Sequence, residues 1–156
     1  MSNTAIWNAA LSYTAQFNAG ADLDSLAAGS CAVSSTVYDN TTTLYTDAWV
    51  SCSLPTLATG AGAPTLDIYI LPLNQDGSTY GDGTVSGTVA PSAAYYVGSI
   101  TWAASLASGT QVGSIQLPTG MPPTEFKLAV VNNIGNALAA SGNVFAIAPD
   151  KLNLNG

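Results

Sequence analysis

The sequence predicts an all-β fold: an antiparallel β-sandwich, jelly-roll-like, of about eight strands with a short N-terminal arm. Three observations lead there. Apolar and polar residues alternate with period two along much of the chain after the first dozen residues. Short clusters of Gly, Pro, Asn and Asp punctuate those runs. The 156 residues are 47% hydrophobic, enough to bury one core.

The opening residues follow a different rhythm. Ile6, Trp7, Ala10 and Leu11 recur near helical spacing, in a stretch too short for a helix of more than about three turns. Two expectations stand: a first strand or short helix that caps the core, or an arm that docks on a neighbour. Residues 1–12 are therefore set apart as an arm or first element, and 13–156 form a single β-sandwich domain.

The strands follow in order. Weak candidates lie at 12–18, 30–37 and 84–89. Residues 43–52 set Tyr45 and Trp49 against Thr46, Ala48 and Val50, which leaves the buried face open. Residues 65–71 place Leu66, Ile68 and Ile70 on one face, with Asp67 and Tyr69 on the other. Residues 95–102 place Tyr96, Ile100 and Trp102 together. Ile115 and Leu117 share a face in 111–117, as do Phe126, Leu128 and Val130 in 124–131, where Glu125 and Lys127 face outward. Phe145 and Ile147 pair in 143–148. Asp39-Asn40, Gly60 to Pro64, Asp76-Gly77, Asp82-Gly83, Pro118 to Pro123 and Asn132 to Asn136 supply the turns.

Charge narrows the function. Only 7% of residues are charged, and nine acids against two bases give a net charge of −7. Lys127 and Lys151 cannot neutralise a run of phosphates or hold the chain to an anionic membrane, so neither nucleic acid nor membrane is expected as a partner. No apolar run approaches the ~20 residues of a membrane span. Ser, Thr, Asn and Gly replace the missing charge, and such groups cost less to desolvate where protein meets protein. The start, MSNTAIWNAAL, has no basic n-region or sustained apolar segment, which points to a protein made and used in a reducing cytosol or leaving it by cell lysis. Cys31 and Cys52 are then expected to be free thiols, although their number permits one disulfide.

Catalytic equipment is sparse. His and Arg are absent, so no serine has a histidine to activate it. Carboxylate pairs that could serve glycoside hydrolysis are Asp22 with Asp24, Asp76 with Asp82, and Glu125. Asp22 and Asp24 read instead as turn caps and Glu125 as a solvated strand face. Asp76 to Gly83 resembles a calcium loop at first sight but lacks acids at alternate positions and a closing glutamate, so a structural turn is expected, with no cofactor or metal. Trp7, Trp49 and Trp102 could form a sugar-stacking platform; core or interface positions are the stronger expectation for Trp49 and Trp102.

An ordered series of segments then carries a resemblance. Leu66 to Gly83 (LDIYILPLNQDGSTYGDG), Tyr95 to Gly98, Pro122 to Leu128, Val131 to Gly135 and Ala137 to Asn143 together resemble small tailed-phage virion proteins that decorate or cement the capsid. The resemblance spans about residues 37–148. It implies a jelly-roll-like β-sandwich in the virion, made in the bacterial host cytoplasm and bound to the outside of the assembled head. The implied partner is the major capsid protein, with a homo-oligomer on the capsid and no catalytic residue. Ile6, Trp7 and Leu11 are candidate capsid contacts, as apolar groups outside the resembling region. The alternatives are a tail or fibre component, and a carbohydrate-binding β-sandwich module.

Overall fold

Strands that carry apolar residues on one side need a second layer to cover them, and two sheets supply it. The computed structural model describes residues 4–7, 14–15, 22–60, 62–83, 86–117, 121–150 and 152–155. Twelve strands are assigned: β1 (Thr4–Trp7), β2 (Thr14–Ala15), β3 (Cys31–Val33), β4 (Tyr38–Asp39), β5 (Asp47–Leu57), β6 (Thr65–Pro72), β7 (Ser86–Gly87), β8 (Tyr96–Thr101), β9 (Gly109–Gln116), β10 (Glu125–Asn133), β11 (Val144–Asp150) and β12 (Leu152–Asn155). A single 3-10 turn, Ala93–Tyr95, is the one helical element among the described residues.

One sheet runs β2-β11-β5-β9 and the other β7-β3-β10-β6-β8, with β4 also on β10. Every pairing is antiparallel. Setting aside the two-residue β4 and β7, the facing sheets are β2-β11-β5-β9 and β3-β10-β6-β8, the strand order of a jelly roll. The chain is thus the all-β sandwich that its periodicity predicts. Beyond the sandwich, β1 pairs with β12 from Thr4–Asn155 to Trp7–Leu152, so residues 4–7 form a strand whose partner is the C-terminal segment.

The core lies between the sheets. Ala48, Val50, Cys52 and Leu54 come from β5, and Phe145 and Ile147 from β11. Leu66, Ile68 and Ile70 of β6 and Phe126, Leu128 and Val130 of β10 face them. The faces expected for β6, β10 and β11 are those observed. The open question in 43–52 is settled: Ala48 and Val50 point inward, while Trp49 lies on the outer surface. Tyr45 precedes the strand, beyond a left-handed Leu44 (φ 49°), so it reaches the core from a loop. The buried Asn40 holds that loop, accepting from the Tyr45 N–H and donating to the Tyr45 and Pro122 carbonyls.

One expected face is corrected. Tyr96, Ile100 and Trp102 do not share a side of β8. Ile68 lies opposite Gly98 but Tyr69 opposite Tyr96, so Val97 is an extra residue in the ladder. The bulge sends Tyr96 to the outer face, edge-on to Tyr69 at 5.6 Å, and leaves Val97 on the core side with Ile100. Gly98 permits this: its φ is +152°, and a Cβ there would sit 2.5 Å from Ile115 Cδ1.

The outer face of the β10–β6 pair is covered too. Cys31, Tyr69, Leu71, Ala129 and Val131 form a second buried cluster under Val33, Tyr80 and Tyr95. The loop 74–83 makes part of that cover. Asp76 accepts from the Ser78 and Thr79 N–H groups at 2.9 Å and from Thr79 Oγ1 at 2.6 Å. Asn74 Nδ2 closes the loop onto the Gly81 carbonyl at 2.9 Å.

These bonds, the Thr79 hydroxyl foremost, hold the Asp76 carboxyl down at about 2. Because the folded pKa lies below the ordinary 3.8, Asp76 adds stability above pH ~3.8 and loses it as pH falls through about 2. An NMR titration is expected to give this carboxyl a midpoint near 2, with the Ser78 and Thr79 amides shifting together; an ordinary carboxylate midpoint would contradict the cap.

The cysteines are free and buried, Cys52 in the core and Cys31 in the second cluster. Burial pushes the Cys52 thiol up to about 12, and burial followed by the nearby Asp82 pushes Cys31 to about 11. Reductant is expected to leave the melting temperature unchanged, and alkylation to proceed only as the protein opens. A fall in melting temperature on reduction would contradict this.

Candidate interaction surface

The outer face of the β2-β11-β5-β9 sheet is built from residues of opposite parity to the core. Three cross-strand rows cover it: Val144–Ser53–Val112, Ala146–Ser51–Ser114 and Ala148–Trp49–Gln116. Val112 is 66% exposed, Val144 44% and Trp49 40%. No row contains a charged residue. Past the inward Ala48–Pro149, the next row of the same parity is Asp47–Asp150, so this face is neutral over three rows and acidic at one end.

Charge collects on the other side. Asp39, Asp67, Glu125 and Lys127 are on strands of the β10 sheet, and Asp76 and Asp82 on the loop that covers it. There the acids are tied down. Asp67 accepts from Ser99 Oγ at 2.6 Å, Asn133 Nδ2 at 2.7 Å and Thr65 Oγ1 at 3.0 Å. Lys127 Nζ sits 5.0 Å from the centre of the Tyr80 ring. The sandwich is therefore two-sided: most of the strand-borne charge lies on the covered β10 sheet, while the other sheet exposes Trp49, Val112 and Val144 from three uncharged rows in which Ala146 and Ala148 are buried.

The carboxylate pairs weighed from the sequence are committed to local bonds. Asp22 Oδ2 accepts from the Ser35 N–H and Oγ, and Asp24 Oδ1 from Asn143 Nδ2. They line a shallow polar cleft with Ser25, Ser30 and Cys31. Asp82 accepts from the Ser92 N–H. Among the described residues no three His, Cys, Asp or Glu side chains come together as metal ligands. Nor is any described helix long and apolar enough to cross a membrane.

Of the proposed contacts, Ile6 and Trp7 fall on β1, and Leu11 lies outside the described residues. In the register of that strand Ile6 is opposite Asn153 and Trp7 opposite Leu152. Trp49 and Trp102 part company, since Trp102 packs half-buried against the core. The neutral face escaped the sequence reading because its members come from three strands distant in the chain; the one local signal is the uncharged set Thr110, Val112, Ser114 and Gln116 at alternate positions.

The chain matches no protein-family model, no curated protein and no solved structure.

Proposed function

We propose that this protein is a structural component of a phage virion, a decoration protein that binds the outside of the assembled head and cements it. The observation that carries the reading is the set of three uncharged rows on the outer face of the β2-β11-β5-β9 sheet, with Trp49, Val112 and Val144 exposed on them. Scattered apolar residues on a surface are ordinary; three adjoining rows of a sheet face without charge, on a chain of net charge −7, are suited to lie against another protein. The ordered resemblance across residues 37–148 supplies the partner class, the major capsid protein. Ile6, Trp7 and Leu11 remain candidates for a second contact.

The mechanism is linkage. A protein that straddles the seam between capsomers binds the assembled lattice and not its separated parts, so it stabilises the former by mass action. Two modest contacts on neighbouring capsomers gain from effective concentration.

The carbohydrate-binding alternative needs a row of exposed aromatics. On the neutral face Trp49 is the one described aromatic, opposite Ala148 and Gln116.

The test is to add purified protein to heads that lack it, then measure co-sedimentation and rupture temperature. Bound heads are expected to rupture at higher temperature. Because the three docking rows carry no charge and acids meet them at one end only, moderate salt is expected to leave occupancy nearly unchanged. Equal heat resistance with and without the protein would remove the cementing role, and release by salt alone would remove the neutral face as the contact.

A further inference from the structure

We infer that β9 is the edge through which two copies of this chain join into one continuous sheet. Among the described residues four strands, β2, β9, β7 and β8, end the paths of the two main sheets, and the two-residue β4 pairs with β10 off that path. Three of them are blunted: β2 and β7 are two residues long, and β8 is bulged at Val97–Gly98. The fourth, β9, is eight residues long. Its ladder with β5 runs unshifted from Gln111 to Gln116, and it holds neither proline nor charge. Such an edge is a template for another strand unless lysine, proline or a bulge protects it.

The direction of its free groups follows from one bond. Leu117 N–H donates to the Ala48 carbonyl at 2.7 Å, toward β5. In an antiparallel ladder alternate residues turn both backbone groups the same way. Gln111, Gly113 and Ile115 therefore turn theirs to β5, while Val112, Ser114 and Gln116 turn theirs outward. All three of these are exposed, and among the described residues β9 has no second strand neighbour. Strand β8 lies behind, meeting β9 through side chains at the Gly98–Ile115 and Gly113–Ile100 contacts.

Charge selects the occupant. Two copies each of net charge −7 repel unless they meet on neutral surface, and β9 borders the neutral face. Antiparallel self-pairing about a two-fold axis sets Thr110, Val112, Ser114 and Gln116 against one another, with no like charges opposed. The joined sheet has the order β2-β11-β5-β9 followed by its reverse, and it places two neutral faces side by side. This inference does not rest on the virion reading, although such a dimer would present two docking faces at once.

Ser114→Pro tests it. The ring removes an outward N–H and leaves the ladder to β5 intact, where proline is tolerated in an edge strand. By sedimentation equilibrium the wild-type protein is expected to be a dimer, and S114P a monomer with the wild-type melting temperature. A monomeric wild type, or a folded S114P that still dimerises, overturns the inference. Should S114P fail to fold, Val112→Lys places a charge on the same exposed edge and is read the same way: a V112K monomer supports the pairing, and a V112K dimer overturns it. Heads that recruit a monomeric wild type but not S114P would mean that β9 pairs with the capsid protein, which also overturns it.

Discussion

Replacing Phe126 with alanine is expected to lower the free energy of unfolding by about 3–5 kcal/mol. The side chain is fully buried, near the start of the strand that forms the middle of its sheet, and its ring packs on Tyr38 at 4.9 Å between centroids. Truncation removes apolar area from the core and leaves a cavity that neighbours held by sheet hydrogen bonds cannot close. Phe126 also sits where β4 and β6 both pair with β10, so the void touches three strands. Chemical denaturation of F126A, read against the wild type, measures this. A loss below about 1 kcal/mol would mean that the site collapses freely and that the core is not packed as described.

Replacing Trp49 with alanine is expected to act on binding instead. Trp49 lies on the outer face between Ala148 and Gln116, and truncating a central tryptophan of an interface costs about 2 kcal/mol or more, some thirty-fold or more in affinity for heads. Its effect on stability should be far smaller than that of F126A, because the core beneath is built from Ala48 and Val50. Val89→Ala is the control: Val89 is apolar and more exposed than Trp49, but it follows β7 of the other sheet and belongs to none of the three rows, so its loss should leave affinity unchanged. Equal binding by W49A and wild type would remove this face from the contact.

How far the sequence reaches can be judged residue by residue. Strands β6, β10 and β11 were legible because Leu66-Ile68-Ile70, Phe126-Leu128-Val130 and Phe145-Ile147 obey strict alternation, which one buried face imposes. Val97 broke the pattern in β8, since a bulge is a property of pairing with β6 and locally leaves only a glycine as its trace. The burial of Tyr69 and Leu71 on the supposed outer face was hidden for a similar reason: their cover is the loop around Tyr80 and Gly81 together with Tyr95, brought there by the fold. The ends of the chain were harder still. Nothing in Thr4–Trp7 announces Leu152–Asn155 as its partner, because pairing at such separation is set by the path of the whole chain. Of the interaction surface, the shortage of charge was plain in the composition, but the three uncharged rows that β11, β5 and β9 assemble were not.

Electron cryomicroscopy of heads carrying this protein tests the account most directly. The reconstruction is expected to place the sandwich on the outer surface over the seams between capsomers, with Trp49, Val112 and Val144 against the capsid and the acidic face, with Asp67, Asp76 and Glu125, toward solvent. A sandwich seated with the acidic face down, or heads whose surface carries no such density, would contradict it.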